Sequence, residues 1–358
     1  MEIVQIVPQF PPVVNGLGDY AFLLARELQS FHDIRSKIIV GDPRRTLTES
    51  EGFITWPIAR RTASALLEVL EADGTETALL HYVGYGYAKR GSPFWLVDGI
   101  CRWRLSSKRR RLVVIFHELF AFGPPWRSSF WTSPLQKWLV RRLVAAMDHG
   151  QTAMQSHANL LRSWAQKSTS VLVTPNFSGV GEPIALRPLG ERKRQIVVFG
   201  SRAIRMLTYS QHSSELLKAC GCLNLNRIVD VGATEETIPE LPVPIFQAGL
   251  LSSAAVREIL SESVGGFLSY FNGYLAKSSV FAAYCACGIV PILPDHNRSE
   301  SDGLEMNRHY LAMRSVPADC SDEQLQAIAD AANKWYSDHS LTRTATALAI
   351  LIRGRTIA

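Results

Sequence analysis

The sequence predicts an α/β protein of two Rossmann-like domains, each built on a parallel sheet, facing a central cleft. Three observations predict it. Apolar strand-like runs alternate with helical patterns along the whole chain, the order that produces parallel sheets. The longest apolar runs, Leu112-Val113-Val114-Ile115-Phe116 and Ile196-Val197-Val198-Phe199 among them, have the length of buried strands and fall far short of the ~20 residues of a membrane span. A chain of 358 residues also exceeds one ordinary core, at roughly 100–200 residues per domain.

Residues 1–7 form an apolar run that reads as the first strand. Pro11 and Pro12 block further ladder pairing, and Gly16-Leu17-Gly18-Asp19-Tyr20 turns the chain into a helix over 21–28, with an apolar stripe of Tyr20, Ala21, Leu23, Leu24, Ala25 and Leu28. Further strands are expected at 35–40, 77–81, 112–117 and 170–173, with helices at 62–71, 93–104, 134–147 and 156–167, the last capped by Ser156. Around 175–194 the pattern dissolves into Pro, Gly and charge, which reads as a linker. The second half continues with strands at 195–200, 227–232, 244–247, 264–269 and 289–293. Its helices are expected at 213–219, 254–262, 278–287, 322–336 and 341–352. The domains are accordingly placed at 1–185 and 186–336.

The apolar content of 47% and charged content of 20% are those of a globular protein. The start carries Glu2 and Pro8 rather than a basic, apolar leader, so the expected location is cytoplasmic. Cys220/Cys222 and Cys285/Cys287 form two C-x-C pairs on apolar segments and read as buried thiols rather than a zinc site, so no metal is expected. The net charge of +6 is clustered at Lys108-Arg109-Arg110-Arg111, Arg141-Arg142 and Arg192-Lys193-Arg194. Such clusters suit anionic partners, a phosphorylated substrate or an acidic membrane surface, as well as a simple solvated face. No nucleic-acid recognition motif accompanies them. Trp126, Phe130 and Trp131 beside Arg127, and Trp138 beside Arg141-Arg142, suit either peripheral contact with anionic lipid, on the inner membrane face, or a wet acceptor-binding loop.

Chemistry-bearing residues gather where strands end. Gly16 and Gly18 open a helix after the first strand, a place where backbone N–H groups meet a ligand or where glycines merely permit tight packing. The spacing G-x-G-D is not the dinucleotide fingerprint. His117-Glu118 follows one buried run and His81 another, so with Pro8 three strand ends converge on one edge. In the second half, Ser201, Arg202 and Arg205 follow Gly200. Arginines at such an edge suit a phosphate, or form ordinary surface charge. Asn272 to Ser279 precede a helix that Ser278 or Ser279 is able to cap, with Lys277 as a point charge for an anion. The Walker spacing is absent.

The opening Pro11-Pro12 to Gly16-Leu17-Gly18-Asp19-Tyr20-Ala21, Leu24-Ala25-Arg26-Glu27-Leu28, the strand-end His117 and Ala286-Cys287-Gly288-Ile289-Val290-Pro291 together resemble the retaining glycosyltransferases of the GT-B fold, glycosyl group 1 or family 4. The order of elements follows that family over most of the chain; the N-terminal loop and the Ala-Cys-Gly segment are its specific parts. The resemblance implies transfer of a sugar from a UDP- or GDP-linked donor to a sugar, lipid-linked or small-molecule hydroxyl, with retention and without metal or other cofactor. It implies donor contacts from Gly16, Gly18, Ser201, Arg202, Arg205, Lys277, Ser278 and Ser279, a catalytic-site role for His117 at the transferring sugar, and an acceptor side holding Asp19, Tyr20, His81 and Glu118. It also implies that residues 337–358 cross back to the first domain.

Two departures stand out. Met206 lies near the family's phosphate-binding lysine, and Leu275 and Ala283 occupy the places of its paired glutamates. Three readings follow: an active enzyme that uses Asn272, Lys277 or Ser278 instead, a changed donor, or a non-catalytic nucleotide- or sugar-binding partner subunit. An epimerase-like enzyme of another α/β family is a further alternative.

Overall fold

The computed structural model describes residues 1–13, 15–50, 52–166, 169–233, 238–295, 301–314 and 320–354. The chain divides into two compact units, Met1–Pro175 with the C-terminal stretch from Leu341, and Asn176–Ser340. Residues 176–185, expected to close the first domain, therefore belong to the second unit. The backbone N–H of Asn176 donates to Ala276 O (2.8 Å), its side chain donates to Lys277 O (2.6 Å), and Ser178 N donates to the Tyr336 hydroxyl (3.1 Å).

In the first unit the order is β1 (Glu2–Val7), α1 (Gly16–His32), β2 (Arg35–Val40), β3 (Thr48–Ser50), β4 (Phe53–Pro57), α2 (Ala63–Asp73), β5 (Thr77–Tyr82) and α3 (Gly84–Tyr87). There follow α4 (Phe94–Leu105), β6 (Arg111–Phe116), α5 (Ser128–Ala146), β7 (His149–Thr152), α6 (Gln155–Trp164) and β8 (Ser170–Val173). The sheet runs β3-β4-β2-β1-β5-β6-β7-β8, with seven parallel strands and β3 antiparallel at one edge. Strand order reverses between β1 and β5, which opens a crevice at their carboxyl ends where α/β sheets bind ligands. Two expectations change here. Helix α5 begins two turns before Pro134, which sits inside it, and α6 starts without a serine cap because Ser156 lies within the helix.

The second unit contains β9 (Lys193–Phe199), α7 (Arg202–Gln211), α8 (Ser213–Cys222), β10 (Arg227–Val231), β11 (Ile245–Gly249) and α9 (Ser253–Ser261). It continues through β12 (Ser263–Phe267), α10 (Ser279–Ala286), β13 (Val290–Leu293), β14 (Leu311–Ala312) and α11 (Asp322–Ser337). Its six parallel strands run β11-β10-β9-β12-β13-β14, reversing between β9 and β12. Gly266 of β12 carries no side chain because the Tyr284 ring stands where a Cβ would lie, 2.7 Å away. The Tyr284 hydroxyl accepts from Phe199 N (3.2 Å) and reaches Phe267 O (3.1 Å) across the reversal, tying α10 to both strands.

Helix α12 (Leu341–Ile352) packs on α1 in the first unit. Thr342 Oγ1 donates to Glu27 Oε1 (2.6 Å) and Arg111 Nη1 to Ile352 O (2.8 Å). Among the described residues, no helix is long and apolar enough to cross a membrane.

Candidate functional site

In the first unit the crevice is built around two histidines. His81, the fifth residue of β5, is fully buried, whereas His117 stands one residue beyond β6 and is half-buried. Their rings stack at 5.4 Å with His81 Nδ1 3.2 Å from His117 Nε2. His81 Nε2 lies 3.0 Å from Gln5 Oε1, and Gln5 Nε2 donates to Ser36 Oγ (2.8 Å). This chain of contacts assigns the tautomers. Gln5 Oε1 accepts, so His81 carries its proton on Nε2 and offers Nδ1 as acceptor to the His117 Nε2–H. Burial, with the charge of His117 acting in the same direction, holds His81 well below the usual imidazole range, which keeps it neutral. His81 therefore orients His117 and does not meet an acceptor, which corrects the sequence expectation.

Tyr20 is likewise buried, its ring edge-on to His117 at 4.9 Å. Burial raises its phenol above the ordinary range, against a hydrogen bond from Gln151 of β7. Tyr20 thus walls the histidine rather than facing solvent. Asp19, half-buried in the first turn of α1, has its carboxyl raised by burial, and Glu118 is exposed beside His117.

The glycine loop is built for packing. Asn15, which sequence reasoning passed over, caps α1 by accepting from Leu17 N (3.0 Å) and Gly18 N (2.9 Å), so those two N–H groups are already satisfied. A Cβ on Gly18 would lie 3.1 Å from Gln9 O, whereas Gly16 opens onto empty space. Of the two glycines expected beside a donor phosphate, only Gly16 leaves room for a ligand.

In the second unit, Arg205 overturns its assignment. It is 1% exposed, paired with the fully buried Asp230 at the end of β10, and Nη2 donates to Ala233 O. Tyr209 donates to the other carboxylate oxygen at 3.0 Å. Its guanidinium fills the space where a Cβ on Gly232 would sit. Arg205 is thus a strut between α7 and β10 and not a phosphate ligand. Arg202, the first residue of α7, is exposed, as is Ser201 before it.

Ser278 caps α10 through Phe281 N (3.1 Å), which makes it structural, while Ser279 opens the helix. Lys277 lies over the Tyr274 ring at 5.4 Å; the side chain of Asn272 is outside the described set. A Cβ on Gly200 would lie 3.4 Å from Val280 Cγ2, so the N-termini of α7 and α10 meet at the carboxyl end of β9. Leu275 and Ala283 are buried. A separate cavity of about 430 Å³ adjoins α7, lined by Ile204, Leu207, Ser269, Tyr270, Phe271 and Asp295 among others. Arg314, also on its rim, is held between Glu215 (3.0 Å) and Asp295 (2.9 Å).

No protein-family model matches the chain and no curated protein matches it in sequence. Solved structures match over nearly its full length. TarM gives a TM-score of 0.63 at 8% identity, covering 98% of each chain. The UDP-forming α,α-trehalose-phosphate synthase of Burkholderia xenovorans, in complex with glucose-6-phosphate, gives 0.55 at 10% identity over 99% of this chain and 100% of its own. The fold is GT-B. S. aureus MnaA, solved with UDP, gives 0.57 at 10% identity over 98% of this chain and 96% of its own. At such identities the GT-B likeness speaks for architecture, and the chemistry rests on the residues above.

Proposed function

We propose that this chain is a glycosyltransferase that moves a sugar from a UDP- or GDP-linked donor to a hydroxyl of a sugar, lipid-linked or small-molecule acceptor, with retention and without a metal. The observation that carries the reading is the meeting of two helix N-termini at the β9 edge, one opened by exposed Arg202 and the other preceded by Lys277. Helix N-termini and fixed cations there neutralise a departing diphosphate without a bound cation. The UDP of MnaA and the UDP-forming activity of the trehalose-phosphate synthase, both on this fold, support a nucleotide-linked donor. Arg202, Lys277 and Ser279 take the diphosphate, with Ser201 beside them. His117, set by His81, positions the transferring sugar, with Asp19 and Glu118 on the acceptor side.

The test is release of nucleotide from a panel of nucleotide sugars. Arg202→Ala and Lys277→Ala are each expected to slow it by about 10²–10³, with melting unchanged. Wild-type rates in both variants refute the assignment.

One observation favours a second reading. With Leu275 and Ala283 buried where the family carries carboxylates, the chain would bind a nucleotide sugar as a non-catalytic partner subunit. Donor binding by calorimetry with no turnover of any donor would select it. A 2-epimerised product would instead select an epimerase.

A further inference from the structure

Charge in this chain is segregated. Residues 84–147 hold twelve of the 38 Lys and Arg and two of the 32 Asp and Glu. That stretch carries a formal +10, and the rest of the chain −4. Arg104, Arg110 and Arg142 are taken by Asp148, Glu71 and Asp98. Lys89, Arg90, Arg127 and Arg141 are exposed.

The same stretch presents an apolar face. Helix α5 buries Leu139, Val140, Leu143 and Val144 in the core. Its opposite side repeats at helical spacing, with Trp131 (70% exposed), Leu135 and Trp138. The preceding loop adds Phe122 at 69% and Trp126 at 84% exposure. A helix apolar on both faces has a second partner to find, since large contiguous apolar surface is rare on soluble proteins.

This face is pre-organised rather than frayed. The Trp131 indole N–H donates to Pro125 O (2.9 Å), which fixes the ring against the loop. Buried Gln136 accepts from Ala121 N (2.7 Å) and donates to Arg90 O (2.9 Å), locking both flanking loops to α5. Lys137 lies 4.9 Å above the Phe120 ring and Arg142 4.7 Å above Trp138, so cations alternate with aromatic rings.

We propose that the outer face of α5 and the loop over 122–131 form a docking surface for an anionic membrane. Indole rings favour the headgroup boundary, and the cation rim matches acidic lipid. A protein partner or a second copy would need complementary acidic, apolar surface, and the rest of this chain offers only a diffuse −4.

The full chain is tested by co-sedimentation with vesicles of phosphatidylcholine, with and without phosphatidylglycerol, at low and high salt. Quenching of tryptophan emission by brominated acyl chains reports insertion. Binding is expected to the anionic vesicles, to weaken with salt, and to show quenching. Immersing about 60 Å² of indole corresponds to about tenfold in affinity, so Trp131→Ala is expected to lose about tenfold and the Trp126→Ala, Trp131→Ala pair about a hundredfold. Both variants should melt as the parent does, since these rings lie outside the core. Absence of binding, equal binding to neutral vesicles, or binding untouched by the paired substitution overturns the proposal. So does a concentration-dependent dimer that Trp131→Ala abolishes in protein that ignores vesicles, which would assign the face to self-association.

Discussion

Asp230→Ala distinguishes a strut from a ligand in the second unit. The carboxylate is fully buried and receives hydrogen bonds from Arg205 and, at 3.0 Å, from Tyr209. Removing it strands a guanidinium that is 1% exposed, a loss of about 3–5 kcal/mol, with about 1 kcal/mol more from the orphaned phenol. A domain of this size shifts by roughly 2–4 °C per kcal/mol, so its melting transition should fall by about 8–24 °C. Calorimetry is the suitable assay, because seven of the eight tryptophans lie in the first unit and fluorescence would report mainly that one. Arg205→Met alone should cost a similar amount. The pair Asp230→Leu with Arg205→Met should be less destabilised than the sum of the single changes by at least ~2 kcal/mol, since both charges leave together. If Arg205 gripped a diphosphate, its variants would instead melt normally and lose about 10²–10³ in rate. That pattern would refute the reasoning.

Three further outcomes are expected. His117→Ala should slow nucleotide release while leaving melting nearly unchanged. His81→Phe, which orphans Gln5 Oε1 and the His117 N–H in a buried setting, should slow it and also destabilise the first unit by about 2–4 kcal/mol; rates and calorimetry together check this, and loss of stability in His117→Ala alone would reverse the assignment. His339 is buried against Trp335, and burial lowers its imidazole to about 3. It is neutral when folded but protonates near 6.5 when unfolded, so stability is full above that pH and falls by ~1.4 kcal/mol per unit as pH drops toward 3. His339→Phe should flatten this part of the acid-melting profile, and an unchanged slope would count against it. Burial raises the thiols of Cys220 and Cys287 to about 11, so at pH 8 their thiolate fraction is lower by about two orders of magnitude than for an ordinary thiol. Cys222 and Cys320, partly exposed, should alkylate first in the native protein, as peptide mapping would show.

Most parallel strands are legible in the sequence because burial on both faces makes each a continuous apolar run, as 112–116 and 196–199 are. Strand β7 is not, since His149-Gly150-Gln151-Thr152 contains no apolar run and is held by backbone pairing to β6 and β8. Helix α7 is hidden for a related reason. Its buried face includes Arg205 and Thr208, polar residues that break the stripe and find their partners in Asp230 and Ser269. Only a fold places those partners.

The site divides along the same line, and the division has a geometric basis. A residue inside a strand or one turn into a helix is enclosed by its neighbours, whereas one just past a strand end or at a helix's first position is presented at the sheet edge. His81 pairs in register with Ile115, inside the ladder, and is enclosed; His117 lies past the end of β6 and is only half-buried. Arg205 is the fourth residue of α7 and is enclosed, while Arg202 is the first and is exposed. A sequence motif marks an edge but not which of two like residues faces outward, because one turn of helix decides between exposure and enclosure. On the proposed function, the cations that face the diphosphate are those at positions 202 and 277. An anion seated there would leave the Arg205–Asp230 pair unbroken.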